Sequence, residues 1–343
     1  MNQTPKQSCF IIAELSANHQ GDINVAIETI RAAKRAGADA VKLQTYTADT
    51  ITLDVKNKYF KIDQGTVWDG RYLHDLYKEA FTPWEWHKQL FDIAKEEGLV
   101  CFSSPFDFTA VDFLETLETP IYKIASFEIT DIPLIEYVAK KGKPIIISTG
   151  IATIEDIELA IKTCKEAGND DITILKCTSQ YPAKIEDANL LTIPDIASRF
   201  NVKVGLSDHT LGITAPVVAV TLGAAVIEKH IILDKSIGGP DAHFSLDEGE
   251  FKSMVKAVRN AEKSFGTIDY ELTEAKQNSR AFSRSLFVVE DVKEGDIISS
   301  ENVRSIRPGF GLHPKHLKSI LGKTFLRNID KGEPLNFDMI QDS

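Results

Sequence analysis

Short apolar runs alternate with segments of helical period through the first three quarters of the chain. The runs are Cys9–Ala13, Ala40–Leu43, Val100–Phe102, Ile121–Ile124, Pro144–Ile147, Ile172–Leu175, Val202–Leu206 and Val226–Ile227. Each is too short for a buried helix, so the set predicts eight strands. Between them, Val25–Ala36, Ile132–Lys140, Ile154–Ala167 and Ile213–Leu222 repeat apolar residues at helical spacing and predict amphipathic helices. Strand–helix alternation predicts an α/β fold with a parallel sheet under covering helices. Eight repeats in about 265 residues fit a closed (β/α)8 TIM barrel better than an open sheet.

Local punctuation agrees. Thr82-Pro83-Trp84-Glu85 has the form of a capping box with proline at the first helical position. Gly98 and Gly168 follow helical patterns as stops. The stretch Tyr46–Phe81 is too long for a simple loop and predicts an insertion over the barrel mouth, with Trp68, Tyr72 and Tyr77 packing it down. After Phe265 the pattern changes. Gly266–Asn278 is polar, and from Ser285 short strand-like runs such as Leu286–Val289 are separated by turns at Lys293–Asp296 and Lys331–Glu333. The expected organisation is a barrel over 1–265, a linker over 266–283 and a small domain over 284–343, whose thin core would gain from docking.

Composition narrows the function. A net charge of −11 over 343 residues argues against a nucleic-acid binder, which needs a basic face. It leaves room for an anionic small substrate held by a local lysine cluster. No apolar stretch reaches membrane-span length, and the polar Met1–Ser8 segment lacks a signal-peptide core, so a cytoplasmic location is expected. Cys9, Cys101, Cys164 and Cys177 form no C-x-x-C pair and read as reduced, mostly buried thiols.

The strand ends carry the chemistry. Glu14, Lys42, Gln44, Lys123, Lys176, Ser207-Asp208-His209 and Glu228-Lys229-His230 lie within or just after apolar runs. A charge in a doubly covered strand costs several kcal/mol unless paired. A ring of such residues at the C-terminal ends of barrel strands reads as an active site. Lys42 and Lys123 with Ser126, Ser148, Ser179 and Ser207 suit phosphate and carboxylate oxygens. Either lysine alone is most simply a structural ion pair; with the serines the set reads as anion binding.

His209 and His230 end consecutive strands. They can share a divalent metal or be two satisfied core histidines, the commoner fate of such pairs. His19 and His243 are less sharply placed, and His74, His87, His313 and His316 read as surface or packing residues. Glu14, beside Asn18-His19, suits a general acid or base, and an ion pair to Lys42 is compatible with that role. Glu128 and Asp241 are similar candidates, with turn chemistry the simpler reading of Asp241.

The ordered motifs Ala13-Glu14…Asn18-His19-x-Gly21, Lys42-x-Gln44-Thr45, Ser104-Pro105-Phe106, Tyr122-Lys123-Ile124-Ala125-Ser126, Ser148-Thr149-Gly150, Gly205-Leu206-Ser207-Asp208-His209 and Glu228-Lys229-His230 resemble those of the sialic acid synthase family. Arg307-Pro308-Gly309 resembles that family's C-terminal antifreeze-like (SAF) domain, so the likeness spans nearly the whole chain. Within the family the chain is most similar to the bacterial pseudaminic branch. Trp68-Asp69, Thr82–His87 and Lys176-Cys177-Thr178-Ser179 look like that branch; its sisters usually have asparagine where Ser179 stands.

The resemblance implies a metal-dependent condensation of phosphoenolpyruvate with 2,4-diacetamido-2,4,6-trideoxy-L-altrose and water, giving pseudaminic acid and phosphate by C–O cleavage. It implies phosphoenolpyruvate on Lys42, Lys123, Ser126, Ser148, Ser179 and Ser207, and manganese, magnesium or cobalt on His209 and His230. It implies proton management by Glu14 and a sugar site shaped by Gln44, Phe106, Tyr181 and Asp241, with Ser104 and Glu128 alongside. It further implies that Arg307 reaches the barrel mouth of a partner in a domain-swapped homodimer. The rival readings are an N-acetylneuraminate or legionaminate synthase, a sugar- or phosphate-binding sensor without turnover, and an ice-binding role resting on the tail alone.

Overall fold

The structure is a computed structural model that describes residues 8–341 except 64, 66 and 67. The chain divides into two compact units, Met1–Gly266 and Thr267–Ser343.

The first unit is a closed barrel of eight parallel strands in sequence order. They are β1 (Phe10–Glu14), β2 (Ala40–Thr45), β3 (Val100–Pro105), β4 (Tyr122–Ile124), β5 (Ile145–Ser148), β6 (Ile172–Cys177), β7 (Lys203–Asp208) and β8 (Val226–His230). All eight predicted strands are present. Several run further than their apolar letters: the run at Val226–Ile227 continues to His230 because Glu228, Lys229 and His230 stay in the ladder with β1.

Alternation along the strands sorts side chains into two sets. Ile11, Ala13, Val41, Leu43, Ile145, Ile147, Ile174, Leu206 and Ile227 pack in the large core with helix residues such as Ala26, Ile30, Leu90, Val138 and Phe251. The other register places Ile12, Ala40, Phe102, Ile146, Leu175 and Val226 in a separate apolar cluster inside the barrel. Two residues further along the same strands stand Glu14, Lys42, Ser104, Ser148, Cys177 and Glu228. The barrel interior is thus an apolar floor under a polar layer that opens at the C-terminal ends.

The expected helices appear as Ile23–Ala36, Ile132–Ala139, Ile154–Glu166 and Thr214–Thr221. Asp22 caps the first by accepting from the Asn24 N–H, and Thr153 forms a capping box with Asp156 on the third. Gly98 and Gly168 sit at φ of 67° and 86°, the left-handed stop that glycine adopts without a Cβ penalty. The capping box expected at Thr82 is absent. Pro83 is itself the N-cap of Trp84–Glu96 and no side chain caps that end. The Thr82 hydroxyl turns instead to His19 Nε2 at 3.3 Å.

The insertion over 46–81 holds two short helices, Ala48–Ile51 and Leu73–Ala80. Tyr77 meets Tyr46 edge-on at 5.7 Å and Trp68 reaches the Tyr181 ring at 5.6 Å. Tyr72 faces the Lys56 ammonium at 4.8 Å.

The second unit has its own small core of residues including Leu286, Val288, Val303, Ile320, Phe325 and Leu335. An antiparallel pair, β9 (Ser285–Val288) and β10 (Val303–Ile306), organises it. The stretch read as a linker contains a helix, Glu274–Arg280, with no buried residue and therefore no apolar period to announce it. No helix among the described residues is long and apolar enough to cross a membrane.

Candidate active site

The inward register of the strands gathers a buried network of charge. Lys42 Nζ lies 3.1 Å from Glu14 Oε2 and 3.3 Å from Glu228 Oε1. It also donates to Ser104 Oγ at 3.3 Å. Lys123 Nζ is 3.9 Å from Glu228 Oε1 and donates to Ser148 Oγ at 2.7 Å. Ser207 Oγ donates to Glu228 Oε1 at 3.2 Å. Gln44 Nε2 donates to Glu14 Oε1 at 2.9 Å and to Ser16 Oγ at 3.0 Å. Glu14, Lys42, Lys123 and Glu228 are each less than 5% exposed.

Burial and pairing pull these groups apart. Burial pushes the Glu14 carboxyl up to about 7, against the attraction of Lys42, and the charge of Glu228 adds to the rise. Burial also works to raise Glu228, but Lys123 and Lys42 outweigh it and hold that carboxyl below its usual range. Burial opposes the charge of Lys42, which Glu14 and Glu228 nevertheless hold above its ordinary value. Lys123 falls below its own, with burial ahead of the pull of Glu228. Two ammoniums therefore face one firmly charged carboxylate and one that holds or releases a proton near neutrality. Such an arrangement is chemically suited to a multiply charged anion and to proton transfer beside it.

Ser126, Gly150 and Ser179 meet at one side. The Gly150 N–H donates to Ser126 Oγ at 3.1 Å. A Cβ at position 150 would lie 1.9 Å from Ser179 Oγ, so only glycine leaves this space open. Ser179 Oγ is buried without a hydrogen-bond partner among the described residues. The ion pairs expected of the lysines are present, and the serines expected beside them, Ser104 and Ser148, accept from Lys42 and Lys123.

The two imidazoles do meet. The His209 and His230 rings are 5.3 Å apart. His209 Nδ1 donates to the Thr178 carbonyl at 3.0 Å, which in the neutral ring leaves the lone pair on Nε2. His230 Nδ1 is buried without a hydrogen-bond partner among the described residues, and Asp241 Oδ2 lies 3.8 Å from it. Burial, then the neighbouring His209, keep His230 neutral well below its ordinary value. Two imidazoles with a carboxylate alongside fit a first-row divalent cation. Asp241 thus lies beside one of the two imidazoles as well as in its turn. Tyr181 packs on His209 at 4.4 Å between ring centres, and Phe244 on His230 at 4.9 Å.

The remaining candidates fall around this centre or away from it. Phe106 stands against Tyr46 at 5.2 Å. Glu128 Oε2 is buried without a hydrogen-bond partner among the described residues, and burial, opposed by Lys123, lifts that carboxyl to about 7. Arg307 is exposed in the second unit, at a cis bond to Pro308. His19 turns away to Thr82 and the Gly21 N–H, and His243 is exposed. A separate grouping of Asp54, His74 and Asp75 lies in the insertion, where Lys56 already pairs with Asp75. All four cysteines are buried and none is disulfide-bonded, and Cys177 Sγ approaches His209 Nδ1 to 3.8 Å.

Among the charged strand-end residues, Glu228 pairs with both lysines, a role that its motif alone does not assign. The signal was available: Glu228 is two residues before His230 on one strand, so both face the interior.

A closed barrel with a buried lysine cradle and paired imidazoles at its C-terminal mouth defines the class, a barrel enzyme for a small anionic substrate. Comparison with known proteins narrows it. The NeuB family profile matches residues 29–270 and the SAF domain profile residues 283–341. Pseudaminic acid synthase of Campylobacter jejuni is 51% identical over 334 residues, 97% of each chain. That of Helicobacter pylori is 48% identical over the full length of both. The crystal structure of N-acetylneuraminic acid synthetase from Leptospira borgpetersenii superposes with a TM-score of 0.71 at 31% identity, covering 80% of this chain and 90% of that one. This chain belongs to the NeuB family and ends in a SAF domain.

Proposed function

We propose that this chain makes pseudaminic acid by condensing phosphoenolpyruvate with 2,4-diacetamido-2,4,6-trideoxy-L-altrose and water, with release of phosphate. Near-full-length identity of 48–51% to two pseudaminic acid synthases supports the branch. The observation that carries the chemistry is the pair of ammoniums, Lys42 and Lys123, buried beside Ser104 and Ser148, with Ser207 on the Glu228 carboxylate they share. They match a substrate bearing a phosphate and a carboxylate on three carbons.

In this reading Lys42, Lys123, Ser126, Ser148, Ser179 and Ser207 hold phosphoenolpyruvate on the apolar floor. Gln44, Phe106, Tyr181, Glu128 and Asp241 border the sugar at the mouth. The enol C3 forms the new bond to the aldehyde carbon, whose oxygen takes a proton. Water adds at C2 and loses one proton; the C2–O bond to phosphate then breaks, phosphate departing with the bridging oxygen and the bonding pair, while the C2 hydroxyl gives its proton to the departing phosphate and becomes the ketone. Glu14, poised near neutrality, gives the first proton and receives the second, so the residue ends as it began. His209 and His230, with Asp241 beside them, would hold a divalent metal such as manganese, magnesium or cobalt, which supplies Lewis-acid polarisation of the aldehyde. Arg307 completes the mouth of a partner's barrel in a cytoplasmic homodimer.

The test is phosphate release from phosphoenolpyruvate with manganese, comparing the L-altrose sugar with N-acetylmannosamine. Release with the former alone is expected. Release with N-acetylmannosamine would transfer the chain to a sister specificity, and release with neither in folded, metal-loaded protein would leave a binding protein.

A further inference from the structure

On β7 and β8 the inward-facing residues are Ser207 and Glu228, followed two places on by His209 and His230. The residues between, Asp208 and Lys229, therefore point outward, into the layer between sheet and helices. That layer is otherwise filled by side chains such as Leu206, Ile227 and Val220. Lys229 is 0% exposed and Asp208 3%.

The two form a closed clamp. Lys229 Nζ lies 2.6 Å from Asp208 Oδ2. Asp208 Oδ1 accepts from the Thr210 N–H at 2.9 Å and from its hydroxyl at 2.8 Å. The Thr210 carbonyl accepts from Lys229. Both chain neighbours of His209 are thus tied to the residue preceding His230. An ion pair so deeply buried contributes little net stability over an apolar pair of the same volume, because desolvation offsets the attraction. What its directed bonds do supply is a fixed relation between two strand ends.

We infer that Asp208 and Lys229 are a positioning pair, which sets the separation and orientation of the His209 and His230 rings from behind the site. The inference rests on the metal reading of those imidazoles given above. It explains why charge occupies a place built for aliphatic side chains, and why Lys229 reaches past Asp208 to the Thr210 carbonyl.

The test uses the whole, metal-stripped protein and two readouts, manganese affinity from the electron paramagnetic signal of the free ion and thermal unfolding without metal. The double variant Asp208→Leu/Lys229→Met removes both charges and leaves none unpaired. It is expected to melt near the wild type yet bind manganese at least tenfold more weakly. Lys229→Arg, which keeps the charge and changes the reach, is expected to fall between. Wild-type manganese affinity in the double variant would overturn the inference. Failure of that variant to fold would overturn it as well, because the pair would then be a requirement of the fold. A wild-type protein whose manganese binding is absent, or unchanged by His209→Ala and His230→Ala, would remove the metal reading itself and this inference with it, before any clamp variant is read.

Discussion

Lys42 on β2 and Glu228 on β8 meet at 3.3 Å although β1 lies between their strands. The contact spans the barrel interior, and Glu228 also approaches Lys123 at 3.9 Å, so one carboxylate balances two buried ammoniums. Glu228→Gln leaves both without that charge and is expected to cost about 3 kcal/mol of stability at pH 7. Saturating phosphoenolpyruvate, which brings anionic charge to the same ammoniums, should raise the melting temperature of the variant more than that of the wild type. Equal shifts would show that the two lysines do not receive the substrate.

Glu14 is predicted to link activity and stability in opposite directions. Its folded-state value of about 7 exceeds the ordinary 4.5, so the native state favours the protonated form. That preference stabilises fully below pH 4.5 and is lost as pH rises towards 7. Glu14→Gln should therefore abolish phosphate release while being more stable than the wild type at pH 8, by at most about 3 kcal/mol. The gain should vanish by pH 4.5 in paired denaturation curves. A variant less stable at pH 8 would contradict this.

Chelation should silence the enzyme, and manganese should restore it. His209→Ala and His230→Ala are each expected to lower kcat/KM by roughly two orders of magnitude or more, with restoration by manganese lost. Phosphoenolpyruvate affinity should change little if, as proposed, Lys42 and Lys123 hold that substrate.

The aromatic insertion divides into a contact and a prop. Trp68 reaches Tyr181, which packs on His209, whereas Tyr72 faces Lys56. Trp68→Ala is expected to raise KM for the bis-acetamido sugar about tenfold, with KM for phosphoenolpyruvate unchanged. Tyr72→Ala should leave both near wild type. Equal effects would place the two rings in one role.

If Arg307 serves a partner's barrel, two inactive variants should complement each other. Equal parts of Arg307→Ala and Glu14→Gln, exchanged into mixed dimers, should recover about a quarter of wild-type activity, since half the dimers carry one intact site. Recovery that never exceeds the separate variants would argue that the arginine serves its own chain.

The barrel was legible because its apolar runs and helical periods recur in register with the chain, and the eight strands appear where those runs predict. The polar ends of β2, β4 and β8 were legible as chemistry because Lys42, Lys123 and Glu228 stand where aliphatic residues belong. The family and its pseudaminic branch were legible from ordered motifs, and the relatives agree. The rest was hidden for definite reasons. Thr82-Pro83-Trp84-Glu85 has the letters of a capping box, but His19 on another segment competes for the threonine hydroxyl. The helix Glu274–Arg280 buries nothing, so no period marks it. Whether Asp241 makes a turn or a site depends on His230, eleven positions earlier in sequence and 3.8 Å away in space.

The apolar cluster of Ile12, Ala40, Phe102, Ile146, Leu175 and Val226 fills the barrel interior one layer below Glu14, Lys42 and Glu228. Lys123 is 1% exposed, while Gln44 and Tyr181 are partly exposed. Deep and shallow partners then differ in when they can bind. On the proposed reading phosphoenolpyruvate must load before the sugar, and a sugar that arrives first shuts out its own co-substrate, so excess sugar should act as a brake on turnover.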